Sequence, residues 1–265
     1  MTPVTSEGVL RYGLVWNGLN LLRHLVSKWP RAELRLRKDM VEVEMRRFLI
    51  GEKTMSVQFN TIRDNAATWG DYDWSYGGDE WTDSAEWKQA LVEEVMFAYV
   101  QPDSVVVEIG PGSGRWSEHL QRRARRLILV DVAQPCLDLC RERFAGATNV
   151  ELRLTSGNGL DFLSENEIDH IWSFDVFVHI NPTDINSYLR SMRRVLKPGG
   201  CAVIHHAKEG IGSNGWRSAM TDEFFAYLVG KNGLRLVRQL DSWGGGQFGL
   251  SSHHDVISIF EKPSG

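Results

Sequence analysis

From residue 103 onward, short apolar runs alternate with segments of helical periodicity, and this alternation restricts the fold more than any other feature of the chain. The runs are Ser104–Ile109, Arg126–Val130, Val150–Leu154, His170–Phe174, Ala202–His205, Leu234–Leu240 and Val256–Phe260. Helices are expected from about Arg115, over Pro135–Phe144, Thr183–Leu196 and Ser218–Asn232. Such alternation implies βαβ units and an α/β fold with a mostly parallel, doubly wound sheet. Runs as continuously apolar as VVVEI and LILV fit strands covered on both faces. A ligand of such a sheet sits beyond the carboxyl ends of its strands, near the switch point.

Two motifs occupy those ends. Glu108-Ile-Gly110-Pro-Gly112-Ser-Gly114 follows the first run directly. Glycines there permit a tight turn and close approach of backbone to a ligand. The spacing is GxGxG and position 115 is Arg, so it differs from the GxGxxG dinucleotide fingerprint, and no Lys-Ser/Thr pair follows to make a phosphate-binding P-loop. Asp131 ends the second run, 21 positions after Gly110. A carboxylate at this place can accept hydrogen bonds from both ribose hydroxyls of an adenosine-containing ligand. The competing reading, a surface Asp capping the next helix, is weakened by the Gly-rich loop in front.

VVVEIGPGSGRW, LVDVA, SGNGLDF, IWSFDVFVHI and RRVLKPGG occur in the order found in class I methyltransferases dependent on S-adenosylmethionine. The resemblance covers about residues 90–262, and the chain resembles the small-molecule and sugar O-methyltransferases among them. It implies a seven-stranded sheet whose last strand is antiparallel. It also implies that Glu108, Gly110 and Gly112 surround the methionine moiety, that Asp131 holds the ribose, and that Asn158 and Gly159 line the adenine. Relatives often carry Asp in that third loop, where this chain offers Ser156 and Asn158. Ser173 to Asp175 would lie beside the sulfonium and the substrate entrance, and S-adenosylhomocysteine would be the product.

Methyl transfer is an in-line displacement at a carbon beside a sulfonium, so the cofactor carries the difficult chemistry. The protein must align the nucleophile and, for a hydroxyl, remove its proton. His is the usual base near neutral pH. His179 follows the fourth run at the catalytic mouth and is the first candidate, and His206 is the second. Alternation sends His205 and His206 to opposite faces of a strand. His253 and His254 precede the last run. For each His a structural role is the competing reading. A divalent metal held by Asp175 with a His of the fifth run is not favoured, because no adjacent Asp pair is present.

The stretch from Asp64 to Glu94 holds nine acidic residues and one Lys, and four of the ten Trp lie between Trp69 and Trp87. An acidic, aromatic segment suits a cation or a polyol and disfavours nucleic acid. Trp74, Trp81, Asp175 and Trp216 are the candidate substrate residues, whereas Trp69 is placed against the adenosyl group by analogy with the cap of relatives. Net charge is −4, so there is no bulk drive toward nucleic acid or anionic lipid. Three Cys make a disulfide scaffold unlikely to be the organising device and favour a reducing, cytoplasmic setting. No run has the length and apolarity of a membrane span.

Residues 1–85 are expected to form a helical, Trp- and Asp-rich extension, with helices over Val9–Trp29 and Ala32–Ile50 and a loop over 60–85. Its amphipathic helices would pack on the acceptor pocket, on a second copy in a homodimer, or peripherally on a membrane surface. Residues 86–265 are expected to form the cofactor-binding domain, opened by a helix over 85–100. The functional expectation is methylation of a hydroxyl on a small molecule, a sugar or glycosylated metabolite by preference. N- or C-methylation of another natural product is the alternative within the enzyme class, and a non-catalytic cofactor-binding module the alternative outside it.

Overall fold

The computed structural model describes residues 61–209, 217–250 and 254–264. The expected helices over Val9–Trp29 and Ala32–Ile50, and Trp216 and His253, lie outside the described residues.

Strands β1 (Val105–Ile109), β2 (Arg126–Asp131), β3 (Val150–Leu154), β4 (Ile168–Phe177), β5 (Leu196–Ala207), β6 (Arg235–Leu240) and β9 (Asp255–Glu261) form one sheet in the order β3-β2-β1-β4-β5-β9-β6. Pairings from β3 through β5 are parallel, and β9 runs antiparallel to both β5 and β6. The seven-stranded, mostly parallel sheet with an antiparallel last strand is therefore as expected. A two-stranded ribbon, β7 (Ser242–Trp243) with β8 (Phe248–Gly249), was not foreseen, because two-residue strands carry no periodicity.

Apolar side chains leave the sheet on both faces. Val107, Val130, Ile171, Ala202 and Ile204 pack against α5 (Pro182–Val195) and α6 (Asp222–Lys231) through Tyr188, Leu189, Met192, Phe225 and Val229. Val106, Leu129, Trp172, Val203 and Ile259 pack on the other side against Trp87, Leu91, Val95 and Met96. Those last four belong to α2, which runs through Ala85–Ala90, a π-helical stretch Leu91–Met96 and Phe97–Tyr99. Ser84 caps it by accepting from the Trp87 N–H at 3.1 Å. Helices α3 (Ser117–Gln121) and α4 (Gln134–Arg143) follow β1 and β2.

Two boundaries differ from expectation in an instructive way. β5 begins at Leu196, directly after α5, and carries the Lys197-Pro198-Gly199-Gly200 stretch inside the strand. Residues 60–85 are not all loop: α1 (Ile62–Gly70) is present, capped by Thr61, whose side chain accepts from the Asp64 N–H. No side chain of α1 is fully buried, so its apolar signal is too weak to stand out among Asp, Gly and Trp.

Candidate active site

The glycine turn after β1 is built without side-chain volume. Gly110 and Gly112 have φ of 71° and 56°, in the left-handed region. A Cβ on Gly110 would lie 2.4 Å from Val176 Cγ2, and one on Gly112 would lie 2.5 Å from Trp74 Cη2. The backbone of this turn forms one wall of a cavity of about 610 Å³, whose lining also includes Asp131, Val132, Cys136, Thr155 and Gly157. That volume falls in the range of small-molecule and cofactor sites.

Asp131 ends β2 on the cavity wall. Its Oδ1 accepts from the Ala133 N–H at 2.9 Å. Burial pushes its carboxyl up to about 6, against the pull of backbone N–H groups of Ala133, Gly112 and Val132. A buried carboxylate beside a glycine turn is suited to accept the paired hydroxyls of a ribose, so the residues present fit an adenosyl cofactor.

A row of charges also lines the cavity near the end of β4. Asp175, at the end of β4, has φ of 61°, unusual for a non-glycine residue. Its Oδ2 pairs with Arg115 Nη2 at 2.5 Å. His205 Nδ1 lies 3.1 Å from both the Asp175 backbone N and Oδ1. A neutral ring can accept the N–H there, and an imidazolium donates to the carboxylate instead. His205 Nε2 is 3.6 Å from Asp255 Oδ2, and Asp255 in turn pairs with Arg217. Burial alone would raise the Asp175 carboxyl, but His205 and Arg115 outweigh it and hold the group well below the usual carboxylate range. Burial alone would lower His205, but Asp175 and Asp255 outweigh it and raise the imidazole.

A lid from residue 61 to 83 covers the cavity. Trp69, Tyr72, Trp74 and Trp81 pack on one another with ring centroids 5.1–6.2 Å apart. Trp69 also meets the His179 ring at 5.1 Å. Asn65 ties the lid to the body by donating to the His179 carbonyl at 3.1 Å.

The structure sorts the sequence candidates. Gly110, Gly112, Asp131, Asp175, His179, Trp69, Trp74 and Trp81 all line the cavity. His206 faces away: alternation along β5 puts it with Ala202 and Ile204 on the α6 side, stacked on Phe225 at 3.8 Å and 2.7 Å from Ser258 Oγ. Burial there drives its imidazole down to about 3. His205 takes the cavity side instead. Ser173 is fully buried and donates to the Ile109 carbonyl at 2.8 Å, a tie between β4 and β1. Asn158 is exposed and Gly159 lies off the cavity; Thr155 and Gly157 take the wall position expected of them. A Cβ on Gly157 would meet Ile62 at 2.5 Å, so the lid closes on that glycine. Glu108 is buried behind the turn, its carboxyl pushed up to about 8 by burial. Of the pair His205 and His206, the sequence favoured His206; Arg115, Trp116, Arg217 and Asp255 were missed, because they act through pairings between distant segments that no local spacing announces. Among the described residues, no group of three His, Cys, Asp or Glu is placed to hold a metal ion. Among them, too, no helix is long and apolar enough to cross a membrane.

Comparisons with known proteins agree with this geometry. Residues 106–200 match the family model for a methyltransferase domain. Demethylmenaquinone methyltransferase from Tropheryma whipplei is 29% identical over 120 residues, which cover 45% of this chain and 47% of that one. A ribosomal RNA small subunit methyltransferase A from Thermotoga neapolitana is 35% identical over 71 residues, 27% of this chain and 25% of that one. The chain thus spans less than half the length of these curated relatives. A crystal structure of an S-adenosylmethionine-dependent methyltransferase from Aquifex aeolicus superposes with a TM-score of 0.55 at 17% identity, over 72% of this chain and all of that one (100%). Sheet order and glycine turn thus give this chain the fold of these methyltransferase structures, and its residues 106–200 match the model of a methyltransferase domain.

Proposed function

We propose that the protein transfers a methyl group from S-adenosylmethionine to a hydroxyl of a small molecule, a sugar or glycosylated metabolite by preference. The observation that carries this reading is a single cavity reaching from Gly110, Gly112 and Asp131 to Asp175 and His205. Cofactor and acceptor would then share one chamber, as in-line transfer demands. When bound, S-adenosylmethionine supplies the electrophilic methyl. Asp131 accepts the ribose hydroxyls, and the Gly110–Gly112 turn admits the cofactor close to the backbone. The lid of Trp69, Trp74 and Trp81 excludes water and offers flat faces to sugar C–H groups. Asp175, held ionised, accepts a hydrogen bond from an acceptor hydroxyl. His179, on the cavity wall, takes the proton that the hydroxyl loses.

In this reading the segment 61–83 forms a lid over the domain of residues 86–265, which its cavity-lining position supports. An amine acceptor is the second reading, favoured by Glu80, Asp83 and Asp184 on the same cavity wall. The test is acceptor identification: purified protein with labelled S-adenosylmethionine, incubated with hydroxylated and aminated metabolites, with products assigned by mass spectrometry and NMR. Methyl carried on oxygen supports the proposal. Methyl found on nitrogen overturns it in favour of the second reading, and methyl found on carbon overturns both.

A further inference from the structure

Arg115 is the residue after the glycine turn, in the position where the dinucleotide fingerprint carries its third Gly. Its side chain is 6% exposed and crosses the cavity wall to the end of β4. The guanidinium carbon stands 4.6 Å from the Trp116 ring centroid and 5.9 Å from that of Trp81, within cation–π reach of both. Nη2 pairs with Asp175 at 2.5 Å, and Nη1 donates to Thr82 Oγ1 at 3.3 Å. Two aromatic faces with a carboxylate beside them are the surroundings that ammonium ligands seek. Phe174 adds a third ring, 5.1 Å from Trp116.

We propose that Arg115 is a specificity-determining residue: it fills an aromatic box at the acceptor end of the cavity with the chain's own cation and so turns cationic acceptors away. This rests on the methyltransferase reading and deepens it, because it separates hydroxyl from amine acceptors. A guanidinium tethered to the box is present at a high effective concentration, against which a free ammonium must compete. Displacing it also strands a buried charge from its partner Asp175. Asp175 therefore meets the acceptor as an already paired anion, suited to a hydroxyl hydrogen bond. The other groups facing Asp175 do not reopen the box to cations: His205 Nδ1 occupies Asp175 Oδ1 at 3.1 Å, its imidazole raised by the two carboxylates beside it, and Asp255 is paired with Arg217.

The experiment titrates tetramethylammonium into the full chain, with and without saturating S-adenosylhomocysteine, by calorimetry and Trp fluorescence. Wild type and Arg115→Lys are expected to show no saturable binding. Arg115→Ala is expected to bind at least about tenfold more tightly than wild type, the size of a desolvated cation–π contact. Arg115→Ala/Asp175→Asn is expected to lose that gain. Should Arg115→Ala not fold, Arg115→Met keeps the apolar stem and carries the same expectation. Saturable wild-type binding equal to that of the variant would overturn the proposal, as would a folded Arg115→Ala or Arg115→Met with no gain. A protein that fails to bind S-adenosylhomocysteine would instead overturn the proposed function, and the titration without it still decides the box.

Discussion

Asp131 sets a pH limit on cofactor binding that can be worked out from its surroundings. Its carboxyl is lifted from 3.8 to about 6 by burial, which disfavours the charged form by about 3 kcal/mol. In the cofactor-free protein about nine-tenths of Asp131 is ionised at pH 7 and about one-tenth at pH 5. Only the ionised form can accept from both ribose hydroxyls, so binding draws the proton off. The sign follows: S-adenosylhomocysteine affinity is full above about pH 7 and falls about tenfold per pH unit below about 6. The ligand's amino, carboxyl and adenine groups do not titrate in that window. Asp131→Ala removes a hydrogen bond to a charged acceptor, worth about 1.5–3 kcal/mol, or roughly a 10- to 150-fold loss at pH 7. Its affinity should also become flat between about pH 5 and 7. Calorimetry of both proteins across this range is the assay. A flat wild-type profile would refute the reasoning. A slope that persists in Asp131→Ala would place the titrating group elsewhere, with the buried Glu108 the neighbour to examine.

Gly112→Val adds a branched side chain where even a Cβ meets Trp74 at 2.5 Å, in a left-handed backbone; loss of S-adenosylhomocysteine binding and a shifted Trp emission spectrum are expected. His206→Ala removes the ring stacked on Phe225 and should destabilise the fold by about 2–4 kcal/mol in urea unfolding, with cofactor affinity unchanged. His179→Ala should keep that affinity yet lose about a hundredfold or more in turnover once the acceptor is known. Asp175 is depressed below its unfolded value, so its contribution to stability is present above the unfolded pKa and lost as pH falls toward the folded one. Asp175→Asn should therefore unfold at milder urea at pH 7 and show a shallower acid transition.

The sheet, its glycine turn and the acidic residue that ends β2 were legible because each is a local signal. VVVEI and LILV are apolar without interruption, and Gly110, Gly112 and Asp131 stand at fixed places after those strands. The Trp-rich lid was legible as a composition anomaly, and Trp69, Trp74 and Trp81 do line the cavity. Other parts of the site depend on pairings that no local pattern encodes. Alternation alone says that His205 and His206 diverge. Which of them meets the cavity is decided by the register of β5 between β4 and β9 and by the burial of Phe225 under His206. Thr155 and Gly157, not Asn158 and Gly159, line the cavity, and Ile62 packs against Gly157 from a segment nearly a hundred positions earlier. Arg115, Asp175, His205, Asp255 and Arg217 come from separate segments of the chain. Their charges have meaning only once the fold brings them within a few ångströms and removes the water between them, where electrostatic attraction is strong enough to select partners. The sequence by itself determined the sheet and the glycine turn through short-range patterning, and the tertiary structure decided the charge row near the end of β4.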